Sequence, residues 1–422
     1  MTQAGEQPRS VVIVGAGHAG FTVASELRVE GYQGRITLLD EQARLPYQRP
    51  PLSKAFLNGD LSVEALPFRS EPFYANEGIE LLPDEPVRAI DRAARTVETE
   101  SGRIIDYDAL VLATGADAIR PPFFVPGLIG LIELRTAQDA ERLVRAMGRV
   151  KRIVVVGGGF IGLEVACSAR KHGLAVDVVE MQDRLMARAL GETVAQYVLQ
   201  AHRAIGINVH LGARVTSVEH RAGRAYGVTL DSGQFLPSDA IVLGLGIRAR
   251  TGLAEAAGLA VDNGIVVDEY LRTSDPAISA IGDCCSFPYR QGDRRIRLES
   301  VQNATDQARN VATRLVGRPT PFVDVPWFWS DQGGMKLQMA GIASDGDREV
   351  IRGNRATGRF SVLRFAENRL VSGESVNSTG DHVSLRTIVA HGHDDLIVKQ
   401  LTESVPADLR GLARSLRQSA PK

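Results

Sequence analysis

The chain has 422 residues, more than one ordinary domain holds, so two or three domains are expected. Its formal net charge of −1 gives no bulk attraction to nucleic acid or to an anionic membrane, and apolar runs such as AIVLGLGI fall far short of a membrane span. Three cysteines (Cys167, Cys284, Cys285) build no disulfide framework and suit a reducing cytoplasm, and the first ten residues, MTQAGEQPRS, lack the apolar core of a signal peptide.

The chain opens with VVIV at 11–14, then GAGHAG, then a helical pattern to about Glu30. The next strand, RITLLD, ends at Asp40. LPYQRPPLSK (45–54) follows, with three prolines that fix φ, the cations Arg49 and Lys54, and no cysteine between Asp40 and Phe56. Residues 87–105 alternate as short antiparallel strands and lead into ALVLATG, which closes on Ala113, Thr114 and Gly115. After Lys151 the opening grammar recurs: RIVVV, GGGFIG, a helix to about His172, and a strand, AVDVVE, ending at Glu180. Strand-like pieces over 215–236 lead into AIVLGLG, which ends at Gly246, and TSDPAISAIGD stops at Asp283. A long helix is expected over 299–318. From about Pro321 the pattern changes to short alternating strands followed by helical segments. The expectation is an α/β protein with two Rossmann-like nucleotide-binding domains and a C-terminal α+β domain.

Each glycine of a G-x-G-x-x-G turn has its own steric task. Gly15 makes the tight turn, Gly17 admits a pyrophosphate against the backbone, and Gly20 lets helix and strand pack closely. The helix N-terminus then presents free N–H groups to the phosphates. Asp40, 25 residues after Gly15, or Glu41 beside it, supplies the carboxylate for a ribose hydroxyl. The second set is Gly157, Gly159 and Gly162, with Glu180 23 residues after the first. A carboxylate there accepts from the 2′-hydroxyl of NADH and repels the 2′-phosphate of NADPH, and Arg184 is the sole nearby cation. The other reading of Glu180 is a solvated strand-end acid.

With both turns placed, the ordered set VIVGAGHAG, LPYQRPPLSK, LVLATG, VVVGGGFIGLE, TSDPAISAIGDC, ESVQNATDQA and WFWSDQ resembles the FAD-dependent pyridine-nucleotide reductases of glutathione-reductase-like fold. More narrowly, it is similar to the putidaredoxin-reductase-like ferredoxin reductases that serve haem-thiolate monooxygenases and ring-hydroxylating dioxygenases. The resemblance implies an FAD domain from 1–115 and 245–320, an NADH domain from 116–244, and a C-terminal domain at 321–422 that covers the flavin and meets the redoxin. FAD contacts then fall on the first glycine turn with Ala19, Asp40 and Glu41, on Arg49, Lys54 and Val87, on Ala113, Thr114 and Gly115, and on Arg135, Asp283, Val301 and Trp329. NADH contacts fall on the second turn with Phe160 and Ile161, and on Glu164, Glu180, Arg184 and Gly246. Glu164 and Lys54 would pair beside the nicotinamide as catalytic residues; for Glu164 the plainer reading is a first-turn acid favoured by the helix dipole. Trp329 is either core packing or the flavin edge.

The implied reaction is hydride transfer from NADH to flavin N5, then single electrons to a two-iron two-sulfur ferredoxin, by a cytoplasmic monomer or homodimer. Cys284-Cys285 is a vicinal pair rather than C-x-x-C and is read as two reduced, partly buried thiols, with Cys167 packed in its helix. No metal-ligand spacing is present, and His391 with His393 makes a poor metal candidate. Two alternatives stand: an NADH oxidoreductase with a quinone or monodehydroascorbate acceptor, and an apoptosis-inducing-factor-like flavoprotein with a binding role.

Overall fold

The computed structural model describes residues 7–289, 294–344, 347–367, 369–391, 401 and 408–419. They resolve into two compact units. The first runs to Arg49 and takes up Glu64–Asp117 and Ile247–Asp324. The second gathers Pro50–Val63, Ala118–Gly246 and the chain from Val325 onward.

At the centre of the first unit, β1 (Ser10–Val14) is buried from Val11 to Val14 and feeds α1 (His18–Val29), which returns to β2 (Arg35–Leu39). The strand order is Ile278–Ala280, Ala109–Leu112, β1, β2, Ile79–Leu82, and every pairing is parallel. A strand buried on both faces needs a continuous apolar run, which is why VVIV and ALVL show no alternation. The alternating segment after Pro86 forms the expected antiparallel meander, Val87–Asp91, Thr96–Thr99 and Ile104–Asp106. The expected long helix spans Val301–Leu315, and it starts there because the Ser300 hydroxyl accepts from Asn303 N–H at 3.1 Å.

The second unit repeats the design with β3 (Arg152–Val156), α2 (Phe160–Lys171) and β4 (Ala175–Glu180), followed by α3 (Glu192–Ala204). Its parallel sheet has the order Ile207–Leu211, β4, β3, Ala240–Leu243, Leu131–Glu133. The same unit holds a five-stranded antiparallel sheet that starts at β5 (Trp327–Gln332) and continues through Met335–Gly341, Arg369–Val376, Arg359–Ala366 and Arg348–Asn354. Helix α4 (Thr379–His391) lies on that sheet and buries Leu385, Ile388 and Val389 with Leu363, Phe365 and Leu370.

In the proline-rich stretch Pro50–Ser53 forms one turn of 3-10 helix, because proline's fixed φ suits a first helical turn. The segment Pro50–Val63 also groups with the second unit, so Arg49 and Lys54 belong to different units.

Candidate functional site

In the first glycine turn, Gly15 has φ +99°, and a Cβ there would lie 2.3 Å from the Ala113 carbonyl oxygen. A Cβ on Gly20 would lie 1.8 Å from the Gly15 carbonyl oxygen, so both positions exclude any side chain. Gly17 is different: a Cβ on it would meet nothing within 4 Å. Its missing side chain leaves open space beside the N-terminus of α1, the form a pyrophosphate cradle takes. Gly115 has φ +69° and its carbonyl accepts from Arg250 N–H at 3.0 Å, while the Thr114 hydroxyl donates to Arg250 O at 2.8 Å.

Asp40 follows β2 directly and is 9% exposed. Burial pushes its carboxyl up to about 6, against the pull of the Gln42 N–H and Arg49. A ribose hydroxyl donating to this carboxylate would supply a hydrogen bond its burial calls for. Glu41 points to other work: its Oε1 is 2.5 Å from Arg250 Nη1, and Arg250 Nε is 2.5 Å from Asp117 Oδ1. Ala19 is buried in α1, and the Arg49 guanidinium sits 5.8 Å from the Tyr47 ring centre. Val87 begins its strand, and Val301 begins the helix capped by Ser300. Asp283 lies within the single turn Gly282–Cys284, whose Gly282 N–H donates to Gln307 Oε1 at 2.7 Å; Arg297 Nη1 donates to the Asp283 carbonyl at 3.1 Å.

The second turn reproduces this geometry. A Cβ on Gly157 (φ +112°) would lie 2.3 Å from the Gly244 carbonyl oxygen, one on Gly162 would lie 2.1 Å from the Gly157 carbonyl oxygen, and one on Gly159 would meet nothing within 4 Å. Glu180 is engaged through both oxygens: Oε2 accepts from Gly158 N–H at 2.6 Å and Oε1 from Gln182 N–H at 2.8 Å. The carboxylate is thereby fixed beside the turn. Arg184 turns to the main chain, donating to Ala187 O at 3.3 Å. Ile161 is exposed, and Gly246 (φ +93°) accepts from Ile119 N–H at 3.0 Å.

Glu164, in the second turn of α2, is 2% exposed. Desolvating a carboxylate to that degree costs several kcal/mol unless it is paired and hydrogen-bonded. The chain supplies three partners. Lys54 Nζ lies 2.8 Å from Oε1, the Ser330 hydroxyl donates to Oε1 at 2.5 Å, and the Ser53 hydroxyl donates to Oε2 at 2.5 Å. These lengths are those of charge-assisted bonds. Gln332 Nε2 donates to Ser330 Oγ at 3.0 Å, and the Phe160 ring packs on Phe328 with centroids 4.5 Å apart. The reading of Glu164 as an exposed first-turn acid is thus corrected: it is buried because β5 and the turn at Pro50–Ser53 both pack on α2.

Two of the expected FAD contacts, Arg135 and Trp329, belong like Lys54 to the second unit. Arg135 is in the second unit, where its N–H donates to Asp139 Oδ2 at 3.2 Å beside the cap of helix Ala137–Met147. Trp329 lies in the second unit too, stacked obliquely on Trp327 with centroids 5.6 Å apart, and Trp327 is equally close to His382. Cys284 and Cys285 are fully buried rather than partly so, and burial raises both thiols, that of Cys285 well above the ordinary range. Burial and the nearby Glu164 push Cys167 up to about 12. All three cysteines are free. No metal-holding cluster exists among the described residues; His391 is among them, and His393 lies outside. No helix of the described residues is long and apolar enough to cross a membrane.

Sequence reading missed Ser53, Ser330 and Arg250. Ser53 and Ser330 stood beside residues already singled out, Lys54 and Trp329. The strand alternation of WFWSDQ could have marked Ser330 as facing away from Trp329. Nothing local marked Arg250, whose partners are distant in sequence.

A family model described as pyridine nucleotide-disulphide oxidoreductase matches residues 9–308. The chain belongs to that family. A second model, reductase C-terminal, matches residues 327–411. Rhodocoxin reductase of Rhodococcus erythropolis is 48% identical over 383 residues, covering 90% of this chain and 89% of that one. Among solved structures, the ferredoxin reductase for the CYP199A2 system of Rhodopseudomonas palustris superposes with a TM-score of 0.92 at 44% identity, covering 96% of this chain and all of that one. The covalent putidaredoxin reductase–putidaredoxin complex gives 0.92 at 35% identity, covering 97% and 99%. The family member in hand is an FAD- and NAD(H)-dependent oxidoreductase of the ferredoxin reductase kind.

Proposed function

We propose that the chain oxidises NADH and passes single electrons to a two-iron two-sulfur ferredoxin that supplies a haem-thiolate monooxygenase or a ring-hydroxylating dioxygenase. The observation that carries this reading is the Glu164–Lys54 pair, whose buried carboxylate takes Lys54, Ser53 and Ser330, in a chain whose 41–63 segment contains no cysteine. A disulfide reductase needs an accessible low-pKa thiol there or nearby. Cys284 and Cys285 are buried, Cys167 is partly buried, and burial raises all three thiols, which disfavours the thiolate that disulfide exchange needs. The relatives reported above, named as rhodocoxin and ferredoxin reductases, support the same acceptor class.

In this reading the first turn, with Asp40, Asp283 and the N-terminus at Val301, holds FAD, and the second turn, with Glu180, holds NADH. When bound, the flavin supplies the step between a two-electron hydride donor and one-electron acceptors. The protein's share is orientation and exclusion. Gly17 and Gly159 admit the pyrophosphates, Glu180 rejects a 2′-phosphate, and the Glu164 carboxylate with the Lys54 ammonium fixes charge beside the nicotinamide. The C-terminal domain at 321–422 would meet the redoxin. The free, reduced cysteines fit a cytoplasmic setting.

The test is anaerobic titration of the purified flavoprotein with NADH and with NADPH, followed by a two-iron ferredoxin. Flavin bleaching by NADH, little bleaching by NADPH, and reoxidation by ferredoxin are expected. Rapid turnover on a quinone with no electron transfer to any ferredoxin of the source genome would overturn the assignment.

A further inference from the structure

Strand β5 alternates, and its two faces have different business. Phe328, Ser330 and Gln332 face α2, where they touch the Phe160 ring, the Glu164 carboxylate and the Phe160 carbonyl. Trp327 and Trp329 occupy the other face and stack on each other. Ser330 is fully buried and Gln332 is 1% exposed.

The order of donors is determined by chemistry rather than by choice of rotamer. A carboxylate only accepts, so the Ser330 hydroxyl must donate to Glu164 Oε1 and is left to accept from Gln332 Nε2. The same Oε1 takes Lys54 Nζ, while Oε2 takes Ser53. Ser53 and Lys54 are adjacent in the chain and take different oxygens of Glu164; Ser330 is the donor that β5 supplies. Without it the carboxylate could rotate toward Ser53 and carry Lys54 with it.

We propose that Ser330, backed by Gln332, is a positioning residue that fixes the Glu164–Lys54 pair for hydride transfer, so that the strand bearing Trp329 on its opposite face also sets the nicotinamide-side charge. The inference rests on the reading of Glu164 given above. Ser330 acts through Glu164 and touches no substrate.

The test is a double-mutant cycle read by anaerobic stopped-flow reduction of the bound flavin with NADH. Ser330→Ala is expected to slow the limiting reduction rate about tenfold with the NADH dissociation constant within about twofold, the split that a misplaced group produces. Ser330→Gly removes the same hydroxyl and should repeat the result. Glu164→Gln should slow reduction at least as much, and adding Ser330→Ala to it should change the rate by less than about twofold. Equal slowing by Ser330→Ala with and without Glu164→Gln overturns the inference, as does a wild-type rate in Ser330→Ala while Glu164→Gln is slow. A wild-type rate in Glu164→Gln removes the Glu164 reading itself, and the inference with it.

Discussion

Gly15, Gly17 and Gly20 occupy in the first unit the turn that Gly157, Gly159 and Gly162 occupy in the second, and the register of the sheets makes Asp40 and Glu180 counterparts. Leu39 pairs with Val14 and Val179 with Val156, and in each case the next residue is the acid. The surroundings differ. Asp40 is nearly sealed and its carboxyl is raised, whereas Glu180 is fixed by two backbone N–H groups. Along the helices, Thr22 stands where Glu164 does, so the first turn carries no buried ion pair. The same backbone turn is thus used twice, with the difference written in the side chains around it.

The comparison breaks most readily at the open glycines. Gly17→Val and Gly159→Val each place atoms where the chain has none, so both variants should fold. Gly17→Val is expected to purify without flavin, seen as loss of the visible absorbance. Gly159→Val should stay yellow while its KM for NADH rises more than about tenfold. A colourless Gly159 variant would mean the two sites are exchanged.

Next in size is Glu180→Ala. Removing the carboxylate should lower the preference for NADH over NADPH, measured as kcat/KM, by about ten- to a hundredfold. Asp40→Ala should leave that ratio unchanged in whatever flavin-loaded protein is recovered.

The titration of Asp40 gives a smaller effect. Its carboxyl is raised from 3.8 to about 6 in the folded chain, so the folded state holds a proton over that window that the unfolded state releases. That contribution to stability is full below pH 4 and lost as pH rises through about 6. Flavin-free wild type, compared with Asp40→Asn by urea unfolding, should lose up to about 2–3 kcal/mol between pH 4 and pH 8. Restored flavin should flatten the difference.

Smallest of all should be Cys284→Ser and Cys285→Ser. NADH-dependent turnover per bound flavin is expected to stay within about twofold of wild type, since neither raised thiol enters the electron path.

Much of this was legible in the residues because it follows from short-range rules. VVIV, ALVL and RIVVV are continuous apolar runs because both faces of each strand are covered. The glycine turns were readable because a tight strand–turn–helix crossing leaves few steric solutions. Glu164 was half legible: its position and its partner Lys54 were named, but an acid near a helix N-terminus looks the same in sequence whether exposed or buried. Its burial comes from β5, some 160 residues later, and no local pattern encodes that packing. The grouping of Pro50–Val63 with the second unit was hidden for a similar reason, since prolines announce a turn and not the side on which it packs.

The chain crosses between its two units five times, at residues 49/50, 63/64, 117/118, 246/247 and 324/325. On the ribosome this imposes an order of waiting. The strand β1 emerges among the first residues, but the outer strand Ile278–Ala280 and the helix Val301–Leu315 that complete its unit come after most of the second has been made. The open edge of Ala109–Leu112 must stand exposed, or be guarded by a chaperone, until Ile278–Ala280 is made, roughly two-fifths of synthesis. Neither unit can be cut out as one contiguous fragment, and truncations of this protein are expected to aggregate rather than yield half an enzyme.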